Sequence, residues 1–293
     1  MRRILVTGAN KGIGMAIATA ILERASDTSV VMGSRSLERG RAALASIVGE
    51  HPDWAPRLQV QELDVSSDHS VVNAAAEIKA SLPDAAAPLY GIVNNAGIVM
   101  GAGGLQSVFD VNVLGIRRVC DAFIPLLDPV HGRIVNITSA SGPNFVYDCS
   151  PERQKLLTDK TIQWTTLHAF MAECLSVKNG ALSTMGLASG QEYGLSKACA
   201  NSYTMVLARN YPNLCINACT PGWIETDMTR PRTGSTSKSA AELGMSPPSE
   251  GTRSAMFLLF DELEGNGRYY GSDAARSPLD RYRAPGSPPY SGE

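Results

Sequence analysis

Tyr193 and Lys197 stand four residues apart in the run Glu192 to Asn210, which reads as a helix, so both side chains leave on one face. A phenol titrating near about pH 10 is a poor acid or base at neutrality. An adjacent ammonium stabilises its anion and brings it towards the working range. The chemistry on offer is proton exchange with an oxygen, although alone a Tyr and a Lys at this spacing are more often a surface pair.

A second feature lies near the other end of the chain. Ile4 to Val6 feed the stretch TGANKGIG, which sets Gly8, Gly12 and Gly14 between a strand and a helix. Gly8 allows a sharp turn. Gly12 and Gly14 remove side chains that would keep a pyrophosphate off the helix N-terminus, where free N–H groups and the dipole attract anions. The spacing is GxxxGxG, not the familiar GxGxxG, and among 27 glycines the competing reading is a tight packing turn. The second strand ends in Gly33, Ser34 and Arg35, with no acid for a ribose 2′-hydroxyl. Arg35, with Lys11 in the glycine turn, supplies charge suited to a 2′-phosphate, which favours NADPH over NADH. The alternative is that both are solvated surface cations.

The elements that must position these groups alternate. Short Val/Ile-rich runs predict strands at Ile4 to Thr7, Ser29 to Gly33, Leu58 to Leu63, Leu89 to Asn94, Arg133 to Thr138, Leu214 to Cys219 and Arg268 to Tyr270. Helical stretches separate them, the pattern of βαβ units in a parallel sheet. The first helix, from Gly12, carries Ile13, Ala16, Ile17, Ala20 and Ile21 as its sheet-facing stripe. Ser36, and Ser66 or Ser67, are the expected N-caps of the next two. The expected fold is one doubly wound α/β Rossmann-type domain over residues 1–293, with a seven-stranded parallel sheet. A helical insertion spans about 143–190, with Leu167, Phe170, Met171, Cys174 and Leu175 at helical spacing. A Gly/Ser/Thr/Pro-rich segment at about 229–248 reads as a substrate lid or a disordered loop. The Pro-rich tail from about 277 to 293 reads as extended over the surface.

Composition excludes several classes. A net charge of −2 offers no basic face for nucleic acid, so small molecules fit better as partners. The six cysteines show no CxxC pairing and the four histidines no ligand spacing, which reads as reduced thiols and no metal. His168 and Cys149 read as packing residues. No apolar run approaches the roughly 18 residues of a membrane span, and the chain enters its first strand too early for a signal peptide, so a cytoplasmic location is expected.

Taken together, TGANKGIG, Asp64 with Val65, NNAG at Asn94 to Gly97, Asn112, Ser139 after the fifth strand, Tyr193-x-x-x-Lys197, and Pro221 with Gly222 resemble the short-chain dehydrogenase/reductase family along nearly the whole chain. The resemblance implies Tyr193 as proton donor and Lys197 as its electrostatic partner and a ribose ligand. It also implies Ser139 as hydrogen-bond donor to the substrate oxygen and Asn112 as anchor of a relay water. It assigns cofactor contacts to Gly8, Asn10, Lys11, Gly12, Ile13, Gly14, Arg35, Asp64, Val65, Asn94, Ala96, Gly97, Tyr193, Lys197, Pro221, Gly222, Trp223, Ile224 and Thr226. The long separation between Ser139 and Tyr193, the stretch ending in Ser150, Pro151 and Glu152, and PGW at Pro221 to Trp223 resemble the monomeric carbonyl reductases and their plant terpenoid and alkaloid ketone-reducing relatives. A monomer is implied, with NADPH-dependent reduction of an aldehyde, ketone or quinone. The alternatives are an alcohol dehydrogenase working in the oxidising direction and a non-catalytic NADP(H)-binding sensor or scaffold. The stretch between Gly97 and Asn112 is shorter and more glycine-rich than this group has, which bears on pocket shape. Trp223 reads equally as a pocket wall or a core aromatic.

Overall fold

The computed structural model describes residues 1–81, 89–177, 181–230, 238–288 and 290–292. Seven strands form its sheet: β1 (Arg2–Thr7), β2 (Thr28–Ser34), β3 (Leu58–Glu62), β4 (Gly91–Asn94), β5 (Arg133–Ile137), β6 (Cys215–Cys219) and β7 (Tyr269–Tyr270). Their order is β3-β2-β1-β4-β5-β6-β7, and every adjacent pair is parallel. Ile4, Leu5, Ile92 and Ile134 are fully buried because helices cover both faces, which is why these strands read as apolar runs without alternation. The strand order reverses between β1 and β4, the switch point at which a doubly wound sheet opens a crevice beyond its carboxyl ends.

One face carries α1 (Gly12–Arg24), α2 (Leu37–Glu50) and α10 (Arg253–Phe260). The other carries α3 (Asp68–Ala80), α4 (Leu105–Phe109), α5 (Gly115–Phe123), α6 (Ser141–Tyr147), α7 (Pro151–Thr158), α8 (Trp164–Ser176) and α9 (Glu192–Asn210). Ser36 and Ser67 cap α2 and α3, accepting from Arg39 N at 3.3 Å and Ser70 N at 3.2 Å. Ser66 instead bonds Asp64.

Three expectations need correction. The buried stripe of α1 is Gly14, Ile17, Ala18, Ile21 and Leu22, offset from the predicted one, so Ile13, Ala16 and Ala20 lie at its margin. In α8, Leu167, Phe170, Met171 and Cys174 are buried as their spacing predicts, but Leu175 is 37% exposed, one step past the stripe. The tail is not simply draped. Arg276 bridges Tyr270 in antiparallel sense along the outer edge of β7, and Ser277 N donates to Tyr269 O at 2.9 Å. Arg283 is buried against Asp273, and its Nε donates to Arg276 O at 3.1 Å. A Pro-rich composition hides such anchoring because one buried arginine and one edge pairing leave no periodic signal.

The stretch expected as a helical insertion forms α6, which starts at Ser141, then α7 and α8. His168 packs on Trp164 at 5.3 Å between ring centroids, and Cys149 Sγ donates to Phe145 O at 3.2 Å. Of the segment expected as a lid, residues 231–237 lie outside the described residues. Its far end is pinned, since Glu225 N donates to Ser246 O and Ser246 N to Trp223 O, each at 2.9 Å. No described helix is long and apolar enough to cross a membrane.

Candidate active site

A cleft of about 720 Å³ opens over the carboxyl ends of the strands at the β1/β4 switch. Its floor is the β1–α1 turn. Gly8 and Gly12 adopt φ of 65° and 54°, the left-handed region that glycine enters without a Cβ clash. Gly14 does something other than clear space for a ligand: a Cβ there would sit 2.4 Å from both Gly8 O and Asn95 Nδ2. Its missing side chain lets α1 close onto the turn and onto the loop after β4. That loop is tied down in turn. Thr7 Oγ1 accepts from the backbone N–H of Asn95 and Ala96, both at 3.0 Å, and Asn95 Nδ2 donates to Thr7 O at 2.9 Å.

Gly8, Asn10, Lys11, Gly12, Ile13 and Gly14 all line the cleft. No side chain caps α1, unlike α2 and α3, so the first N–H groups of this helix keep their capacity for an anion.

Arg35 borders the cleft at the end of β2, joined by Ser36 and by Arg39 from the first turn of α2. Arg39 was not expected, yet it stands one turn beyond the legible Ser36 cap. Lys11 is less free than its sequence position suggests, because its Nζ donates to Asp227 Oδ2 at 2.8 Å across the mouth of the cleft. This partner keeps the Asp227 carboxyl below the usual carboxylate range. Asp64 and Val65 line the adjoining wall, and Asp64 Oδ1 accepts from Ser66 N at 3.0 Å and Ser66 Oγ at 2.6 Å.

At the other end of the cleft stand Tyr193 and Lys197, on the first turns of α9. Lys197 is 4% exposed and its Nζ, 5.5 Å from the Tyr193 ring centroid, donates to Ile137 O at 3.0 Å. Burial pushes this ammonium from its ordinary 10.5 down to about 8. Among the described residues no carboxylate forms an ion pair with it. Ser139 follows β5, and its Oγ accepts from Ser141 N at 3.1 Å.

Two glycines bring the Ser139 loop onto α9. A Cβ at Gly142 would lie 3.0 Å from the Lys197 carbonyl carbon, and one at Gly194 2.9 Å from Ser141 O. Asn112 sits fully buried in a single π-helical turn, Asp110–Leu114, between α4 and α5. Its amide donates to Ile98 O at 2.8 Å and Ser196 Oγ at 2.9 Å, and its Oδ1 accepts from Ile98 N at 2.9 Å. A π-turn shifts one residue out of the ladder and is frequent at functional sites.

Four residues expected at the cofactor lie off the cleft surface. Asn94 is buried and donates to Asn136 Oδ1 at 2.9 Å, so it braces β4 against β5, while Asn95 and Ala96 line the cleft. Gly222 packs on Ser272, and Ile224 is buried beneath Gly251. Trp223 is neither core nor cleft lining, being 41% exposed. Pro221 and Thr226 do line the cleft.

Comparison with known proteins agrees with this geometry. The short chain dehydrogenase family matches residues 2–150. Carbonyl reductase [NADPH] 3 of Rattus norvegicus is 32% identical over 270 residues, covering 84% of this chain and 92% of that one. Carbonyl reductase [NADPH] 1 of Sus scrofa is 31% identical over 259 residues, covering 82% and 84%. Among solved structures, salutaridine reductase from Papaver somniferum superposes with a TM-score of 0.75 at 22% identity, covering 92% of this chain and 99% of that one.

Proposed function

This chain belongs to the short chain dehydrogenase family, and from that premise we propose that it reduces a small-molecule carbonyl to an alcohol with NADPH. The observation that carries the reading is the buried Lys197 ammonium, unneutralised by a carboxylate and held beside the Tyr193 phenol.

The cleft suits a dinucleotide. A side chain at Gly8 would strike Ala96 and one at Gly14 would fill the turn, while the uncapped start of α1 offers N–H groups to a pyrophosphate. Arg35 and Arg39, at the far end, suit a 2′-phosphate better than a bare 2′-hydroxyl. The nicotinamide, when bound, supplies the hydride for a carbonyl carbon.

In this reading Tyr193 gives its hydroxyl proton to the carbonyl oxygen, and Ser139 Oγ–H steadies the charge that builds there. Lys197 stabilises the phenolate left behind. Asn112, tied to Ile98 and Ser196, holds the loop after β4 against α9 and anchors the relay that returns a proton to Tyr193. Met100 and Met228 are exposed and line the cleft, an apolar surface suited to a weakly polar substrate. The chain acts as one domain and as a monomer, since its own tail occupies the β7 edge that a second copy would pair with.

The test is Tyr193→Phe against a panel of aldehydes, ketones and quinones. Turnover with NADPH is expected to fall roughly a hundredfold or more, with NADPH affinity little changed. Equal turnover by the variant overturns the assignment, and a strong preference for NADH overturns the cofactor.

A further inference from the structure

A second cavity, about 730 Å³, lies away from the cleft, between the last turns of α9, the approach to β7 and the tail. Lys160, Arg209, Arg268 and Arg276 surround it, and among the described residues Asp280 is the one carboxylate on its lining. Over the described lining residues that is a formal excess of three positive charges, in a chain whose net charge is −2. Elsewhere the guanidiniums of Arg2, Arg24, Arg118 and Arg153 each meet a carboxylate; among the described residues none of these four cations does.

Two of these side chains, Arg209 and Arg276, are held in place without an ion-pair partner among the described residues. Arg209 donates to the backbone carbonyls of Lys160 at 2.5 Å and of Ile162, and Asp159 nearby is engaged by Thr161 at 2.7 Å. Arg276 lies over the Tyr290 ring, 5.6 Å from its centroid, and donates to Gly292 O at 2.6 Å. A cation in the last turn of α9 is ordinary compensation for the helix dipole, which accounts for Arg209. It does not account for Arg268 and Arg276, which come from the β7 approach and the tail. Like charges around a concavity with low-dielectric walls focus a positive potential into it. Planar guanidinium forks match phosphate and carboxylate oxygens.

We propose that this cavity is a binding site for a small polyanion, a molecule bearing phosphate or several carboxylate groups, separate from the cofactor cleft. Its volume is in the range of small-molecule sites, about 300–1,000 Å³. Arg276 O accepts from Arg283 Nε at 3.1 Å, so an occupant held by Arg276 would also hold the tail.

The test is calorimetric titration of the full chain with pyrophosphate and, separately, citrate, both with NADPH present in excess. Saturable binding with a Kd below about 1 mM is expected for at least one probe, and the tighter of the two identifies the oxyanion class. Arg268→Gln with Arg276→Gln is expected to weaken it about tenfold or more and to leave NADPH affinity unchanged. Lys160→Gln, at an exposed position, gives about a threefold loss should the double variant fail to fold. Arg39→Ala is expected to alter NADPH binding only, so a failure of the cofactor reading is told apart from a failure of this one. Absence of saturable binding by both probes, or binding indifferent to all these cavity substitutions, overturns the proposal.

Discussion

The two ends of the chain hold their polar groups in opposite ways. Around the β1–α1 turn, order comes from backbone: glycines that admit close approach, Thr7 and Asn95 bonding main-chain atoms, and helix N–H groups left uncapped. Beyond β7, past the edge pairing of Arg276 with Tyr270, order centres on one side chain. The Arg283 guanidinium, buried with Asp273, gathers the carbonyls of Arg276, Ala284 and Ser287 around itself. A backbone cradle is intolerant of added atoms and indifferent to charge, whereas a buried ion pair is the reverse.

Substitutions that add bulk to one region or remove charge from the other test this contrast. Gly14→Val puts a branched side chain where a Cβ already lies 2.4 Å from Gly8 O and Asn95 Nδ2. Neither obstacle can retreat, so a stability loss above about 3 kcal/mol and the disappearance of saturable NADPH binding are expected. Wild-type-like fluorescence titration would show that the turn is not a rigid cradle. Asp273→Ala strands the Arg283 charge in the interior, with an expected cost of about 3 kcal/mol in urea unfolding, while NADPH affinity stays near the parent value. Burial works to raise the Asp273 carboxyl, but the Arg283 hydrogen bond and charge outweigh it and leave it below the ordinary 3.8. The stability contributed by this pair is therefore present above about pH 4 and lost as the medium becomes more acid.

The same contrast explains what could be read from the sequence. The glycine turn and the Tyr193/Lys197 pair depend on residues a few positions apart, and α9 runs over the very span, Glu192–Asn210, that local pattern predicts. Strands such as β1 and β4 are legible because burial on both faces leaves apolar runs, whereas β3, LQVQE, is only partly buried and shows alternation instead. Contacts between distant residues left no such mark. Nothing near Lys11 announces its bond to Asp227, 216 positions away, nor does anything in the tail announce the pairing of Arg276 with Tyr270. Trp223 reads equally as a pocket wall or a core aromatic by type, but the turn at Gly222, fitted against Ser272, leaves it exposed. Among site residues, Asn112 and Ser139 were accessible only through resemblance, since a lone Asn and a lone Ser have no spacing to read.

Lys197 belongs to both regimes, a charge buried within the backbone-built site. Its folded value of about 8 lies below the ordinary 10.5 because burial disfavours the charged form. Below about pH 8 the folded protein carries the full penalty of that charge. The penalty is relieved as pH rises towards 10.5, so stability from this group increases over that window. Comparing parent with Lys197→Met in urea, without cofactor, isolates it. The parent is expected to gain on the variant by about 2 kcal/mol between about pH 7 and about pH 10. A difference that stays flat would mean that water reaches the ammonium, and with it the cleft's capacity to favour phenolate would be lost.

The smallest expected effect separates the two cations that line the cleft beside the end of β2. Arg39 is exposed, lies on the cleft wall and has no ion-pair partner among the described residues. It sits in the first turn of α2, whose Ser36 cap fixes the start of that helix. A charge-assisted bond to a 2′-phosphate is worth about 1.5 kcal/mol at such a wet position, or roughly tenfold in affinity. Arg39→Ala is therefore expected to weaken NADPH binding about tenfold and NADH binding hardly at all, with stability within about 0.5 kcal/mol of the parent. Equal losses for the two cofactors would place the arginine on the shared pyrophosphate or adenine instead. The specificity of this end would then rest on Arg35 alone, at the close of a buried strand whose backbone already fixes its direction.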